Sequence, residues 1–235
     1  MLILSIDTST LTCSIAVNDG EALLGQQVIN TKTTHSQKLL PCIKSLLDNL
    51  NISLRDIQLI AIAKGPGSFT GLRIGMATAK GLAYGLKIPI VGVSSLEALA
   101  YSSNVFGSLV VPIFNARRNQ VYGAIYEYDQ NRYIEKLTPK SIQLNDLLDE
   151  IEKVGKTAVF LGDYLQSFEE QIKEKLGNKG RYVLPQNITP RASGVGYLAY
   201  NKFNKAGGDD LASLDVEYLR LAEAQRKLLQ CSRQS

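Results

Sequence analysis

Histidine is nearly absent from this 235-residue chain, which contains only His35. A helical H-x-x-x-H metal site needs two imidazoles four residues apart, and the second position is occupied here by Leu39. A Ser-His-Asp or Cys-His hydrolase would also have to use His35, and the chain has no G-x-S-x-G motif. We therefore interpret His35 as a helix-start or surface histidine and not as a metal ligand. The chemistry left open is a metal-and-carboxylate mechanism that would use Asp7 and Asp163.

Cysteine is scarce as well, since the chain has only Cys13, Cys42 and Cys231. Their number is odd, and no pair of them has C-x-x-C spacing. We therefore expect neither a disulfide framework nor a zinc site, and we expect the protein to work in a reducing compartment. No apolar run reaches the ~20 residues of a membrane span. The first ten residues lack a basic segment and include Asp7, so they predict a buried strand and not a signal peptide. We expect a cytoplasmic protein with no membrane partner.

Charge is also limited: 20% of the residues are charged, 45% are apolar, and the net charge is +4. These values are typical of a globular protein and do not indicate a dedicated nucleic-acid binder. The basic pairs Arg117–Arg118 and Arg226–Lys227 could touch phosphate, but such pairs are more often solvated surface.

The period of the apolar residues predicts the order β-β-β-α-β-α-β twice along the chain. The first half comprises strands 2–7, 12–18 and 22–28, helix 35–49, strand 59–63, helix 69–86 and strand 90–93. The second comprises strands 109–114, 120–128 and 133–138, helix 144–152, strand 157–161, helix 165–175 and strand 182–184. Three strands before each helix differ from a Rossmann unit and predict mixed sheets.

Three further segments complete the predicted order. Residues 102–107 are the junction between the halves, and a helix over 192–205 is followed by a loop over 206–210. The tail over 218–230 is amphipathic and basic, and it could pack back on the body. Pro41 lies inside the first predicted helix, which is therefore expected to start late or to kink.

Two glycine- and hydroxyl-rich turns could face a nucleotide. The sequence GPGSFTGLRIG contains Gly65, Gly67 and Ser68 between a strand and a helix, where free N–H groups favour an anion. It is not a Walker A loop, and a purely structural turn is an equal alternative. The turn Asp7-Thr8-Ser9 could help place a metal, or its side chains could cap the turn itself.

Small residues recur every four positions in the second helix, at Gly71, Gly75, Ala79 and Ala83. Such a stripe lets another helix approach closely, whether that helix belongs to a partner or not. The stripe alone favours packing on the chain's own sheet.

Four segments together resemble the bacterial TsaB (YeaZ) family: LSIDTSTLTCSIAV, GPGSFTGLRIGMATAKGLA, NARRNQVYGAIY and YLR. The resemblance covers the chain in order, and the second segment is the most specific. It implies an actin-like (ASKHA) α/β fold of two ribonuclease-H-like halves with mixed sheets. The halves would be 1–103, which carries the partner interface, and 104–235, whose tail after about 206 could pack back on the first.

The resemblance also implies a role. The chain would be a non-catalytic scaffold that pairs with the paralogue TsaD and, with the ATPase TsaE, supports threonylcarbamoyl transfer to the adenosine beside the anticodon of tRNAs that read codons beginning with A. TsaD carries the H-x-x-x-H site, so ATP and metal would come through the partners, with none held tightly here. Transfer RNA would be met only in the complex, and the chain alone would form a homodimer. The alternatives are an M22-type protease-like hydrolase and an actin-like small-molecule kinase.

The family's interface uses the first two helices. The contact residues implied are His35, Leu39, Ile43, Leu46, Gly71, Arg73, Gly75, Ala79 and Ala83. A large residue at position 75 is therefore expected to abolish pairing. Many relatives carry an acid at Asn115, so its absence weakens nucleotide binding by the loops at Asp7 and Gly65.

Overall fold

The computed structural model describes residues 1–30, 35–103, 105–117, 119–129, 132–163, 165–183 and 189–219. Its strands are β1 (Leu2–Asp7), β2 (Thr12–Asp19), β3 (Ala22–Asn30), β4 (Leu59–Gly65), β5 (Ile90–Ser94), β6 (Leu109–Arg117), β7 (Gln120–Asp129), β8 (Arg132–Gln143), β9 (Ala158–Leu161) and β10 (Gly180–Tyr182). Its helices are α1 (His35–Leu50), α2 (Phe69–Leu86), α3 (Ser95–Tyr101), α4 (Leu144–Val154), α5 (Glu169–Leu176) and α6 (Ala192–Ala206). The predicted order β-β-β-α-β-α-β is present in both halves.

The strands form two five-stranded sheets of matching order, β3-β2-β1-β4-β5 and β10-β9-β6-β7-β8. In each sheet the first three strands of the half pair antiparallel, and the last two run parallel to the first. The prediction of mixed sheets is therefore confirmed. Parallel neighbours require crossover connections, which the helices between these strands supply.

Alternation along β1 sends side chains to both faces of the N-terminal sheet. Leu4 and Ile6 meet α1 and α2 in one apolar cluster. Ile3 faces the opposite side, where α6 contributes Val195 and Ala199. The period of two along a strand therefore places α6, from the far end of the chain, on the first sheet.

The second sheet is also covered on both faces, and one of its helices comes from the other half of the chain. Helices α4 and α5 pack on one face, and α3 packs on the other, where Leu96 and Leu99 meet Val110 and Phe114. The halves thus exchange a helix: α3 follows the first sheet but covers the second. Helices α3 and α6 also contact each other where the halves meet.

Some predicted boundaries were wrong. Helix α1 begins at His35 and continues through Pro41, whose ring lies on the exposed side, so the expected late start does not occur. Helix α3 was not predicted, and residues 165–168 form a 3-10 turn before α5. Strand β10 covers 180–182, and residue 184 of the strand predicted there lies outside the described residues.

Residues 207–219 lie against the N-terminal half. Asp209 accepts a hydrogen bond from the Gly92 amide at 2.8 Å, and Glu217 donates its amide to the Lys64 carbonyl at 2.8 Å. Val216 is buried in the cluster under α1 and α2. The rest of the predicted tail, from residue 220, lies outside the described residues, as do Arg118 and the pair Arg226–Lys227. In the part of the chain that the structure covers, no helix is long and apolar enough to cross a membrane.

Candidate functional site

The turn between β1 and β2 is enclosed by the protein. Asp7, Thr8 and Ser9 are each at most 1% exposed. The Asp7 carboxylate accepts hydrogen bonds at Oδ1 from the Ser9 amide at 2.9 Å and the Ser9 hydroxyl at 2.6 Å. Its Oδ2 has no partner among the described residues. The carboxylate therefore caps its own turn, as one of the two sequence interpretations expected.

Burial raises the pKa of Asp7 to about 6, and the hydrogen bonds from Ser9 and the charge of His35 partly oppose the rise. Desolvation disfavours a charged carboxylate because no solvent or fixed cation compensates it fully.

The loop over residues 65–68 lies directly on the turn at Asp7. The Ser68 amide donates to the Ser9 carbonyl at 2.6 Å. A Cβ atom at Gly67 would lie 2.2 Å from that same oxygen, and one at Gly65, whose φ is +129°, would lie 2.5 Å from the Glu217 carbonyl oxygen. Both glycines are thus required by close contact with other backbone segments. The structural-turn interpretation accounts for them without a ligand.

The start of α2 is capped from within the chain. The Ser68 hydroxyl accepts from the Gly71 amide at 3.3 Å, and the Leu72 amide donates to the Ser68 carbonyl at 2.9 Å. The first bond caps an amide of the first turn, and the second is the first regular hydrogen bond of the helix.

His35 connects the first helix to the same turn. Its Nε2 donates to the Thr10 carbonyl at 2.8 Å, and the ring lies 3.2 Å from where a Cβ of Gly71 would be. Leu39 is 1% exposed and belongs to the core. No group of three or more potential metal-ligating side chains occurs among the residues described. His35 is therefore the first residue of α1, as the helix-start interpretation predicted, and it is bonded to the turn within this chain.

The residues predicted to form the partner interface differ in their exposure. Most of them are buried inside this chain, namely Leu39, Ile43, Leu46, Gly71, Gly75, Ala79 and Ala83. A Cβ at Gly75 would lie 2.2 Å from the Thr8 hydroxyl oxygen. The stripe serves close approach of α2 to its own sheet, so it offers no surface to a partner. A large residue at position 75 should disturb the fold itself.

The outer face of α1 and α2 presents a different set of residues. Leu40 on α1 is 55% exposed, and on α2 Tyr84 is 77% exposed and Ala77 is exposed as well. A Cβ at Gly81 or Gly85 would meet nothing within 4 Å. Ala77, Gly81 and Gly85 therefore form a second small-residue stripe, and it faces solvent. Its spacing of four was visible in the sequence, but the first stripe has the same spacing.

Arg73, near the start of α2, is exposed. Its guanidinium lies 3.8 Å from the centroid of the Phe69 ring, and its Nε donates to the Tyr218 hydroxyl at 2.7 Å. The cation–π contact and the hydrogen bond hold the described end of the chain beside the start of α2.

In the second half the structure brings Asn115 and Asp163 together. The Asn115 amide donates to Asp163 Oδ1 at 3.2 Å. Burial raises the pKa of Asp163 to about 6, opposed by backbone hydrogen bonds. Asp163 is therefore held in the manner of Asp7, by a backbone amide near the end of a strand.

Two sheets of matching strand order, with helices on both faces of each, define the actin-like class of α/β proteins. A ROK hexokinase from Thermus thermophilus shares this fold, with a TM-score of 0.50 over 88% of this chain and 100% of that chain at 10% identity. The solved structure of YeaZ from Pseudomonas aeruginosa has a TM-score of 0.77 over 92% of this chain and 99% of that chain, at 25% identity.

Sequence comparison narrows the class. A family model described as "TsaD: tRNA N6-adenosine threonylcarbamoyltransferase" matches residues 23–229. The tRNA threonylcarbamoyladenosine biosynthesis protein TsaB of Bacillus subtilis is 38% identical over 98% of this chain and 99% of its own length. TsaB of Escherichia coli is 40% identical over 56% of this chain and 57% of its own length. The chain belongs to the TsaB (YeaZ) family.

Proposed function

We propose that this chain is a non-catalytic subunit in the synthesis of threonylcarbamoyladenosine in tRNA, and that it acts by pairing with a TsaD-type paralogue. The observation that carries the proposal is the similarity to Bacillus subtilis TsaB over 98% of this chain, combined with Leu39 in the core where a metal site would need a second histidine.

The geometry of the turns supports a non-catalytic role. Asp7 is capped by Ser9, and residues 65–68 rest on the same turn, with the Ser68 amide bonded to the Ser9 carbonyl. Nucleophilic or metal chemistry needs a base or several ligands around an open site. Nucleotide and metal are therefore proposed to enter through the TsaD-type partner and a TsaE-type ATPase, and tRNA through the assembled complex.

The outer face of α1 and α2 is the proposed contact surface. Leu40 and Tyr84 supply apolar area, and Gly81 and Gly85 allow a partner helix to approach closely. Exposed apolar side chains on helices that bury their opposite faces are typical of an interaction site. The same face is proposed to support self-pairing when the chain is alone.

The test is co-purification of the chain with the TsaD-type paralogue of the same organism, with and without ATP. Wild-type protein should pair, and Gly81→Leu should not, because the leucine side chain fills the space that a partner helix needs. The variant should fold normally, since nothing lies within 4 Å of a Cβ at position 81.

Lys173→Leu is the matched control. It places the same side chain on an exposed helical position of α5, in the other half, and pairing should persist. Threonylcarbamoyladenosine in tRNA should fall when the chain is deleted and recover with Lys173→Leu but not with Gly81→Leu. Failure of the wild-type protein to pair, or unchanged modification after deletion, would overturn the proposal.

A further inference from the structure

Helices α1 and α2 are basic. Together they carry four basic residues, Lys38, Lys44, Arg73 and Lys80, and one acidic residue, Asp48. Asp48 is already engaged, because its carboxylate pairs with Lys44 on the same helix at 2.6 Å. Helix α2 has no acidic residue in its 18 positions. The two helices whose outer face is the contact surface proposed above therefore carry a positive charge that neither of them neutralises.

The basic residues of α2 and its C-terminal cap form one row along the helix. Arg73, Lys80 and Lys87 follow each other at intervals of seven residues, and Lys87 is the cap. Seven residues make almost two helical turns, so side chains at this spacing lie on one side of the helix, roughly 10 Å apart. Ala77 and Tyr84 are exposed and follow Arg73 and Lys80 by four residues. The row therefore borders the exposed seam of α2.

The chain after α6 fixes two members of the row through neutral groups. Lys80 Nζ donates to the Ala212 carbonyl at 3.3 Å and to the Leu214 carbonyl at 2.8 Å. Arg73 is fixed by its hydrogen bond to the Tyr218 hydroxyl. Carbonyl and phenol oxygens hold a cation in place without cancelling its charge. Side chains that are already ordered lose less freedom when they meet a partner, so the row is prepared for a contact.

Within the described part of the chain, no carboxylate pairs with the row. Arg73, Lys80 and Lys87 form no ion pair there. Asp210 accepts a hydrogen bond from the Ser213 amide at 3.0 Å. The pKa of Asp210 is lowered mainly by its bonds to Ser213 and less by the charge of Lys80. The charge of the row is therefore available at the edge of the contact surface.

Charges that flank the apolar seam of a helix determine which helix pairs with it. A partner helix that lies along α2 would meet the row at more than one point if it carried acidic side chains at the same spacing of seven. A second copy of this chain cannot supply them, because its α2 has no acid and Asp48 of its α1 is already paired. The charge of this surface therefore distinguishes a paralogue from a second copy.

We propose that the partner helix carries Asp or Glu side chains seven residues apart, facing Arg73, Lys80 and Lys87, and that this match favours the paralogue over a second copy. This choice of partner rests on the proposed function, because it takes the outer face of α1 and α2 as the contact surface. Exposed charge pairs add little affinity in water, but they accelerate association of the matching partner. The row acts mainly on the association rate and on the choice of partner.

The test is stopped-flow association of the full chain with the TsaD-type paralogue, from about 50 to about 500 mM potassium chloride. The association rate constant should fall about tenfold or more over this range, because salt screens the attraction. Self-association of the same chain, followed by sedimentation, should be weaker than pairing with the paralogue at low salt and should not weaken further as salt rises. Equal weakening of both by salt would overturn the proposal.

Charge reversal locates the effect. Arg73→Glu and Lys87→Glu should each slow association with the paralogue about threefold to tenfold at low salt. Arg73→Lys keeps the charge and should retain the salt dependence that Arg73→Glu reduces. Lys173→Glu makes the same change of net charge at an exposed position of α5 and should associate as the wild type does. Thermal unfolding checks that each variant is folded. Equal slowing by Lys173→Glu would show that net charge, and not the row, is responsible.

Further outcomes separate the choice of partner from the pairing itself. If the wild type pairs but neither salt nor charge reversal alters association, the pairing stands and the row does not select the partner. If the wild type does not pair at any salt concentration, the proposed function is wrong and the choice of partner is wrong with it. Binding of tRNA by the chain alone that Arg73→Glu and Lys87→Glu abolish, while pairing persists, would assign the row to nucleic acid and overturn the proposal.

Discussion

The side chain of Asp7 shows how an acid at the end of a strand can be held by its own turn. It stands at the end of β1, yet its Oδ1 is taken by two hydrogen bonds from Ser9 and the whole side chain is enclosed. The sequence left two interpretations equally open, because the polar groups of a hydroxyl-rich turn after a strand can bind a phosphate or can form hydrogen bonds within the turn. Only the position of residues 65–68, which lie against the turn, separates them, and that contact joins segments almost sixty residues apart.

Asp7 should make stability depend on pH. The pKa of its carboxyl is about 6 in the folded chain against 3.8 ordinarily, so the folded state holds the proton more tightly than the unfolded state. Between about pH 4 and pH 6 the native protein therefore binds more protons, and the free energy of unfolding falls as pH rises, then levels off. Two units of pKa correspond to about 3 kcal/mol.

Asp7→Asn removes this ionisation. The variant should gain stability relative to the wild type as pH rises from 4 to 7, by up to about 3 kcal/mol. Asp163 remains in both proteins, so its own titration cancels in the difference. Urea unfolding at several pH values measures the effect, and a difference that stays constant with pH would show that Asp7 is not the source.

At the scale of a helix, α2 carries two stripes of small residues with opposite roles. Gly75 lies against Thr8 of the turn, whereas Gly81 faces open solvent. Positions 75, 79 and 83 and positions 77, 81 and 85 share a spacing of four and differ only by a rotation of about 200° about the helix axis. Spacing alone therefore predicted that small residues mattered, and could not predict which stripe is buried.

The same substitution at the two glycines should give opposite signs. Gly75→Ala places a Cβ 2.2 Å from the Thr8 hydroxyl oxygen and should lower the free energy of unfolding by about 1–3 kcal/mol. Gly81→Ala meets nothing and should raise it by up to about 1 kcal/mol, because alanine favours a helix more than glycine does. Chemical denaturation of both variants measures the pair, and equal destabilisation would contradict the assignment of the stripes.

Elements differed in how well they could be predicted. The long periodic helix α2 was predicted with its bounds, and the strands of the first half were found to within two residues. Helix α3 was missed because it has seven residues, SLEALAY, and packs between the halves with most of them buried, so no polar face marks its period. The position of α3 against the second sheet could not be predicted for a related reason, since it depends on contacts with strands that follow the helix in the chain.

At the scale of the whole molecule, the halves are not independent, because each sheet is completed by a helix from outside its own run of strands. Helix α6 covers the face of the first sheet that bears Ile3 and Val91, and residues 207–219 close its edge through Asp209 and Val216. The division at residue 103 was read from the repeated order of elements, which says nothing about where the last helix of each half packs.

A fragment of residues 1–103 should therefore fail to form a cooperative native state. Without α6, solvent would reach an apolar cluster made of Ile3, Leu59, Ala61, Val91 and Val93. The free-energy cost of exposing these side chains exceeds the few kcal/mol by which a small domain is stable. Helix α3 would also lose its packing contacts, since its partners Val110 and Phe114 belong to the removed half. The fragment should bind a hydrophobic dye and show no sharp thermal transition.

The informative comparison is a fusion of residues 1–103 to residues 189–219 through a flexible glycine–serine linker. It restores α6 and the closing segment while still lacking the whole second sheet, so it should regain a cooperative transition and lose dye binding. A second fusion with Val195→Asp and Ala199→Asp on α6 keeps the same length but places charge against the apolar face, and it should behave like the bare fragment. If residues 1–103 fold by themselves, or if both fusions behave alike, the sheet does not depend on α6, and the helix exchange between the halves would be a consequence of the fold and not a condition for it.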